Sequence, residues 1–280
     1  MAGEGAHVMG RVTRVTRQAA QATYRTEATV KAQLAMREKL FRKGAYIFLA
    51  CMPKSGSTFL ARAIEDVTGF PHTRLCYAHE RNEQELYLPK LVETYTKSIV
   101  TQQHIKATGP NLDLFVRFGI RPVIVTRNLF DVIVSIRDYL CREGVYGFPS
   151  LYATDHFLTI SEEEQFDFLI TFAAPWYFNF YASWYDAAHD GRIETMWLTY
   201  EELTADWADG IERVLAFYRQ PVPHDAIVAA VRRMQGDPQK SRLNKGVAGR
   251  GMDLLSAAQR ERLATMAAFY PWVDFGPIGV

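Results

Sequence analysis

The stretch Ala45-Tyr46-Ile47-Phe48-Leu49-Ala50-Cys51-Met52-Pro53-Lys54-Ser55-Gly56-Ser57-Thr58-Phe59 decides how this chain is organised. Residues 45–51 form an unbroken apolar run of strand length, and residues from about 58 to 67 continue at helical spacing after a Pro/Gly/Ser turn. A strand that passes through such a turn into a helix gathers backbone N–H groups and the positive end of the helix dipole at one place, where an anion is held. The turn therefore predicts a phosphate site. It is not the Gly-x-x-x-x-Gly-Lys-Ser/Thr loop of nucleoside-triphosphate enzymes, because Lys54 precedes Gly56 by two residues. An ordinary Ser/Gly turn with Ser57 as helix N-cap is the competing reading.

Further strand-like runs occur at 98–102, 122–126 and 193–198, separated by helical patterns. Strands alternating with helices at this spacing predict a single α/β domain over residues 45–280, with a central, mostly parallel sheet flanked by helices. Residues 1–44 differ: nine Lys/Arg (Arg11, Arg14, Arg17, Arg25, Lys31, Arg37, Lys39, Arg42, Lys43) face three acids (Glu4, Glu27, Glu38). Apolar residues at helical intervals make this a basic, helical N-terminal arm. It packs on the domain or on a second copy, or it meets an anionic membrane surface.

The 280 residues carry Lys+Arg 32 against Asp+Glu 31, a formal charge of +1. No overall field attracts nucleic acid, so none is expected as a partner and any anion site is built locally. Cys51, Cys76 and Cys141 are odd in number and lack CxxC spacing, which predicts buried, reduced thiols in a cytoplasm. There is no signal-peptide pattern and no apolar run near the ~20 residues that span a bilayer.

A second motif runs from Arg121 to Ser135. The apolar residues 122–126 lead to Arg127, which falls at the carboxyl end of a strand, where ligands collect in open α/β sheets. Ser135, eight residues on, is about two helical turns into the next element and can face the same anion. A surface ion pair of Arg127 with Asp131 is the alternative. A third segment, Ser241-Arg242-Leu243-Asn244-Lys245-Gly246-Val247-Ala248-Gly249-Arg250-Gly251, combines cations with glycines and suits an anion clamp.

Taken in order, these segments resemble the sulfotransferases that use 3′-phosphoadenosine-5′-phosphosulfate (PAPS), over roughly residues 45–275. Pro53-Lys54-Ser55-Gly56-Ser57-Thr58 is similar to that family's 5′-phosphosulfate loop. Arg127-Asn128-Leu129 with Asp131 and Ser135 is similar to its 3′-phosphate motif, with Leu129 in place of the usual Pro, so the helix start can differ. Lys245-Gly246-x-x-Gly249 is similar to its closing segment, although Asn244 stands where Arg is usual, the following Asp-Trp is absent, and Arg242 can compensate. Thr199-Tyr200-Glu201-Glu202-Leu203 resembles the segment whose Tyr lies by the adenine, and Phe59 matches an aromatic that stacks on that base; core packing competes with both assignments.

The resemblance implies transfer of the sulfuryl group to a hydroxyl or amine of a small-molecule, lipid or glycan acceptor, leaving adenosine 3′,5′-bisphosphate (PAP). It implies donor contacts from Lys54, Ser55, Gly56, Ser57, Thr58, Phe59, Arg127, Ser135, Tyr200, Arg242, Asn244, Lys245 and Gly246. Lys54 would stabilise the leaving phosphate electrostatically, with no metal. His104, at the end of the run 98–104 and matching a strand-end Thr-His with Gln103 replacing the Thr, would be the general base. His79 with Glu80 is second choice, and His72 has little support. The aromatics of residues 146–185, among them Trp176, Tyr177, Phe178, Phe180, Tyr181, Trp184 and Tyr185, read as core. A small-molecule kinase and a catalytically silent nucleotide-binding protein of the same fold are the other readings; the kinase lacks a strand-end Asp for Mg²⁺ and a Walker lysine.

Overall fold

The computed structural model describes residues 29, 43–77, 83–146, 148, 151–236 and 249–280, and the architecture below is that of Ala45–Val280. In chain order the elements are β1 (Tyr46–Cys51), α1 (Ser57–Thr68), α2 (Leu88–Thr94), β2 (Ile99–Gln103), α3 (Gly109–Arg117), β3 (Pro122–Thr126) and α4 (Leu129–Glu143). They continue with α5 (Glu162–Phe172), α6 (Ala174–His189), β4 (Met196–Thr199), α7 (Tyr200–Ala205), α8 (Trp207–Phe217), α9 (His224–Gln235), α10 (Arg250–Leu254) and α11 (Ala257–Ala267). The sheet is wholly parallel, in the order β2-β1-β3-β4. The last strand starts at Met196, three residues later than the apolar run from 193 suggested.

Every residue of β1 is buried, as a central parallel strand covered on both faces requires. Ile47, Leu49 and Cys51 face one side, packed with Leu60 and Ile64 of α1, Ile211 and Val214 of α8, and Ile227 of α9. Phe48, at the opposite alternation, meets Phe115 of α3 edge-on at 4.8 Å between ring centroids, and Phe115 in turn meets Trp184 of α6. Trp176, Tyr177, Phe178, Phe180, Tyr181 and Trp184 are buried, so most of the aromatic density of α6 is core as read from the sequence, whereas Tyr185 is half-buried and Tyr146, Tyr152 and Phe172 of the same span are exposed. Cys51 and Cys76 are buried, but Cys141 is exposed: it lies on the outward side of the last turn of α4, next to the buried Leu140.

Register places the functional strand ends level with one another. Ala50 pairs with Gln103, so His104 lies opposite Cys51; Cys51 pairs with Val125; and Thr126 pairs with Thr199. Successive strands lie on opposite sides of β1, which makes the β1 carboxyl end the topological switch point where α/β sheets open a crevice. Among the described residues, no helix is long and apolar enough to cross a membrane.

Candidate functional site

The loop after β1 takes its shape from two left-handed residues. Lys54 has φ 69 and Gly56 φ 75, and Gly56 rather than Ser57 is the N-cap of α1, without a side-chain cap bond. Ser57 instead opens the helix. A Cβ at Gly56 would lie 2.9 Å from the Tyr200 ring and 3.2 Å from Trp207, so only glycine fits under these aromatics. The loop is pinned from below: Ser55 Oγ donates to the Met52 carbonyl at 2.7 Å, and the buried Tyr177 hydroxyl donates to the Pro53 carbonyl at 3.3 Å.

Arg127 follows β3 directly and is only 8% exposed, so the alternative reading of a surface ion pair does not hold: its approach to Asp131, Nη2 to Oδ2 3.9 Å, is a buried one. Its Nη1 donates to the Lys54 carbonyl at 3.0 Å, and its guanidinium carbon stands 4.0 Å from the centre of the Tyr200 ring. Arg127 thus touches the loop after β1 and the element after β4 at once. Asn128 caps α4, its side chain accepting from the N–H groups of Phe130 and Asp131, and its own N–H donates to Glu201 at 3.2 Å. With this cap in place Leu129 occupies the first helical position, so the helix starts where a proline would have started it.

One face of α4 then runs along the loop. Asp131, Ser135 and Tyr139 recur at four-residue spacing. Asp131 meets Arg127, and the Tyr139 ring carries the Lys54 ammonium 4.5 Å above its centre, so Ser135, buried between them, shares the same crevice. From β2, Gln102 Nε2 donates to Ser57 Oγ at 2.8 Å and reaches Thr58 Oγ1 at 3.4 Å. A hydroxyl that accepts from this amide keeps its own proton for an anion.

His104 closes the other side. Its Nδ1 lies 2.8 Å from the Cys51 carbonyl, an acceptor only, so Nδ1 carries the hydrogen and Nε2 keeps the lone pair. Burial pushes its pKa down to about 4, with the Cys51 carbonyl partly opposing the shift, so the imidazole is neutral at pH 7. The backbone N–H of His104 is held by Gln84 at 2.7 Å. The Cys51 thiol beside it is inert: burial raises its pKa to about 12.

Lys54, Ser55, Gly56, Ser57, Thr58, His104, Arg127, Ser135 and Tyr200 are therefore gathered at one sheet edge. Phe59 is not free to stack on a base: it is fully buried and its ring lies 4.1 Å from that of Trp207. Because Phe59 is the third residue of α1, its side chain turns into the core shared with α8. Arg242, Asn244, Lys245 and Gly246, and the second-choice pair His79 and Glu80, lie outside the described residues, as does the basic arm apart from Thr29, Lys43 and Gly44. His72 lies away from the site, bridging to Val100 on the outer side of β2.

The sulfotransferase domain family matches residues 45–244. The chain belongs to that family. Among solved structures, this sulfotransferase is similar to mouse sulfotransferase SULT7A1 complexed with PAP, at 18% identity and TM-score 0.55, covering 79% of this chain and 81% of that one. It is also similar to retinol dehydratase in complex with androsterone and the inactive cofactor PAP, at 13% identity and TM-score 0.51, covering 79% and 78%. No curated protein sequence matches it. At these identities the likeness is one of fold.

Several residues that line this sheet edge escaped sequence reasoning. Gln102 was detectable as a polar residue at the end of a buried strand beside the loop strand. Tyr139 was detectable as the next step in the four-residue series from Asp131 and Ser135. Tyr177, in contrast, is indistinguishable in sequence from its core neighbours, and only the packing of α6 beneath the loop shows its hydrogen bond.

Proposed function

We propose that this sulfotransferase takes its sulfuryl group from PAPS and passes it to a hydroxyl or amine of a separate acceptor. The observation that carries the reading is the Arg127–Lys54 hydrogen bond, which brings a buried strand-end cation and the loop lysine to one edge although 73 residues separate them. The residues fit a nucleotide bearing phosphates at both ends. The first turn of α1 presents N–H groups that lack helical partners. Glycine is required at position 56, where the loop backbone lies close under Tyr200.

In this reading Ser55, Gly56, Ser57 and Thr58 hold the 5′-phosphate, with Gln102 orienting the two hydroxyls. Arg127 and Ser135, joined by Arg242, Asn244, Lys245 and Gly246, take the 3′-phosphate, and Tyr200 borders the adenine. When bound, PAPS supplies an activated sulfuryl group whose leaving oxygen gathers negative charge. Lys54 places its ammonium against that charge. His104 takes the acceptor proton on Nε2 while Nδ1 stays on the Cys51 carbonyl, which stabilises the imidazolium as it forms. A base with a depressed pKa is neutral and ready at pH 7, but it has less driving force for proton transfer, so desolvation and orientation must supply part of the rate.

The test is turnover with [³⁵S]PAPS over a panel of phenols, sterols including androsterone, glycans and amines. Label transfer that persists in EDTA and is lost in the Lys54→Ala variant supports the reading. A strict Mg²⁺ requirement with ATP as donor would instead favour the kinase, and PAP binding without turnover on any acceptor the silent nucleotide-binding protein.

A further inference from the structure

At the amino end of α4 the Asp131 carboxylate, 2% exposed, accepts two backbone hydrogen bonds from the far end of the chain. Gly249 donates to Oδ2 at 2.6 Å and Gly251 to Oδ1 at 2.7 Å. The same Oδ2 lies 3.9 Å from Arg127 Nη2. The approach is close enough to exclude any side chain at position 251: a Cβ there would overlap the Phe130 carbonyl carbon and stand 2.7 Å from the Asp131 nitrogen, both backbone atoms of a helix. Gly249 supplies the left-handed turn, φ 88, that brings both N–H groups onto one carboxylate. Between them Arg250 reaches Asp138, two turns along α4, at 2.8 Å.

We propose that Asp131 is a positioning residue of the donor site, fixing Arg127 and the Gly249–Gly251 turn in one arrangement so that the guanidinium is presented to the nucleotide's 3′-phosphate. The proposal rests on the donor reading above and extends it to a residue without phosphate contact. Its sign is informative. A carboxylate beside an anion site repels the anion, so by charge alone neutralising Asp131 tightens phosphate binding. As a positioning group it does the reverse: its charge is spread over two N–H donors and Arg127, and without it the guanidinium and the turn lose their common anchor.

Asp131→Asn keeps the volume but retains one acceptor oxygen for two N–H donors and sets an amide NH₂ against one of them. Titration calorimetry with PAP and with adenosine 5′-monophosphate is expected to show PAP affinity falling on the order of tenfold while monophosphate affinity holds. Gly251→Ala, which alters no charge, is expected to shift the same ratio in the same direction. The melting temperature of each variant is measured without nucleotide. Unchanged or tighter PAP binding by Asp131→Asn overturns the proposal, as does equal weakening of both nucleotides, which marks a merely structural role. If Asp131→Asn does not fold, a folded Gly251→Ala with the wild-type ratio overturns it. Arg127→Ala is run in parallel: if it leaves the ratio unchanged the donor reading itself falls, and the proposal with it, whereas loss there with no loss at Asp131 removes the proposal alone.

Discussion

Arg127 Nη1 donates to the carbonyl of Lys54 at 3.0 Å, so the strand-end cation and the backbone of the loop lysine form one unit. Under the proposed function Arg127 then has two tasks, holding the loop and facing the 3′-phosphate, and the site's expected behaviour follows from their combination.

Arg127→Ala removes both tasks. PAP is expected to raise the melting temperature of the wild type far more than adenosine 5′-monophosphate does, since at equal free concentration c the tighter ligand of the native state stabilises it more, by RT ln(1 + c/Kd). In the variant the two shifts should become alike. Equal shifts in the wild type would remove the case for a separate 3′-phosphate site.

His104→Ala is expected to leave PAP binding nearly unchanged and to lower turnover by roughly two orders of magnitude or more, the usual worth of a general base. The pH dependence carries a further test. Because burial lowers the His104 pKa from 6.5 to about 4, kcat/KM should hold from pH 7 to pH 5.5 and fall only as pH drops towards 4. An acid limb near pH 6.5 in wild type would show that the working base is a solvated histidine elsewhere.

The same shift predicts a stability effect of definite sign. Between pH 6.5 and about 4 the unfolded chain binds a proton at this position that the folded chain refuses. Stability from the neutral, buried ring is thus fully present above pH 6.5 and declines as pH falls through that window. Urea unfolding of wild type and His104→Gln should show the smaller pH slope in the variant; identical slopes would contradict the depressed pKa.

Gly56→Ala forces a side chain into a left-handed position and against Tyr200 at 2.9 Å. It is expected to cost about 1–2 kcal/mol of stability from the backbone alone, read as a lower urea midpoint, and to weaken PAP binding because the loop must move. Wild-type stability with wild-type binding would mean that the loop tolerates another path.

The basic arm is expected to serve packing or self-association. Deleting residues 1–40 should lower the melting temperature or change the oligomeric state and leave PAP binding intact. Attraction of cations to anionic lipid is worth about 1 kcal/mol each and is screened by salt. Salt-sensitive cosedimentation with anionic vesicles, lost on deletion without a change in melting temperature, would assign the arm to membranes instead.

The sequence by itself determined the parallel α/β sheet and most of the loop after β1, because those properties are local. An apolar strand, a Gly/Ser turn and a helical period each show in a few consecutive residues, and β1 with α1, β3 with Arg127, and His104 after β2 were legible for that reason. What only the tertiary structure decided are the contacts between elements distant in sequence. Phe59 looked available to a base until α8 brought Trp207 against it, Cys141 looked buried until α4 turned it outward, and the pairing of Asp131 with Gly249 and Gly251 spans more than a hundred residues. Local pattern fixes which way a side chain leaves its own backbone; what it meets there depends on how separate elements pack, and the burial that sets the pKa of His104 arises at that level too.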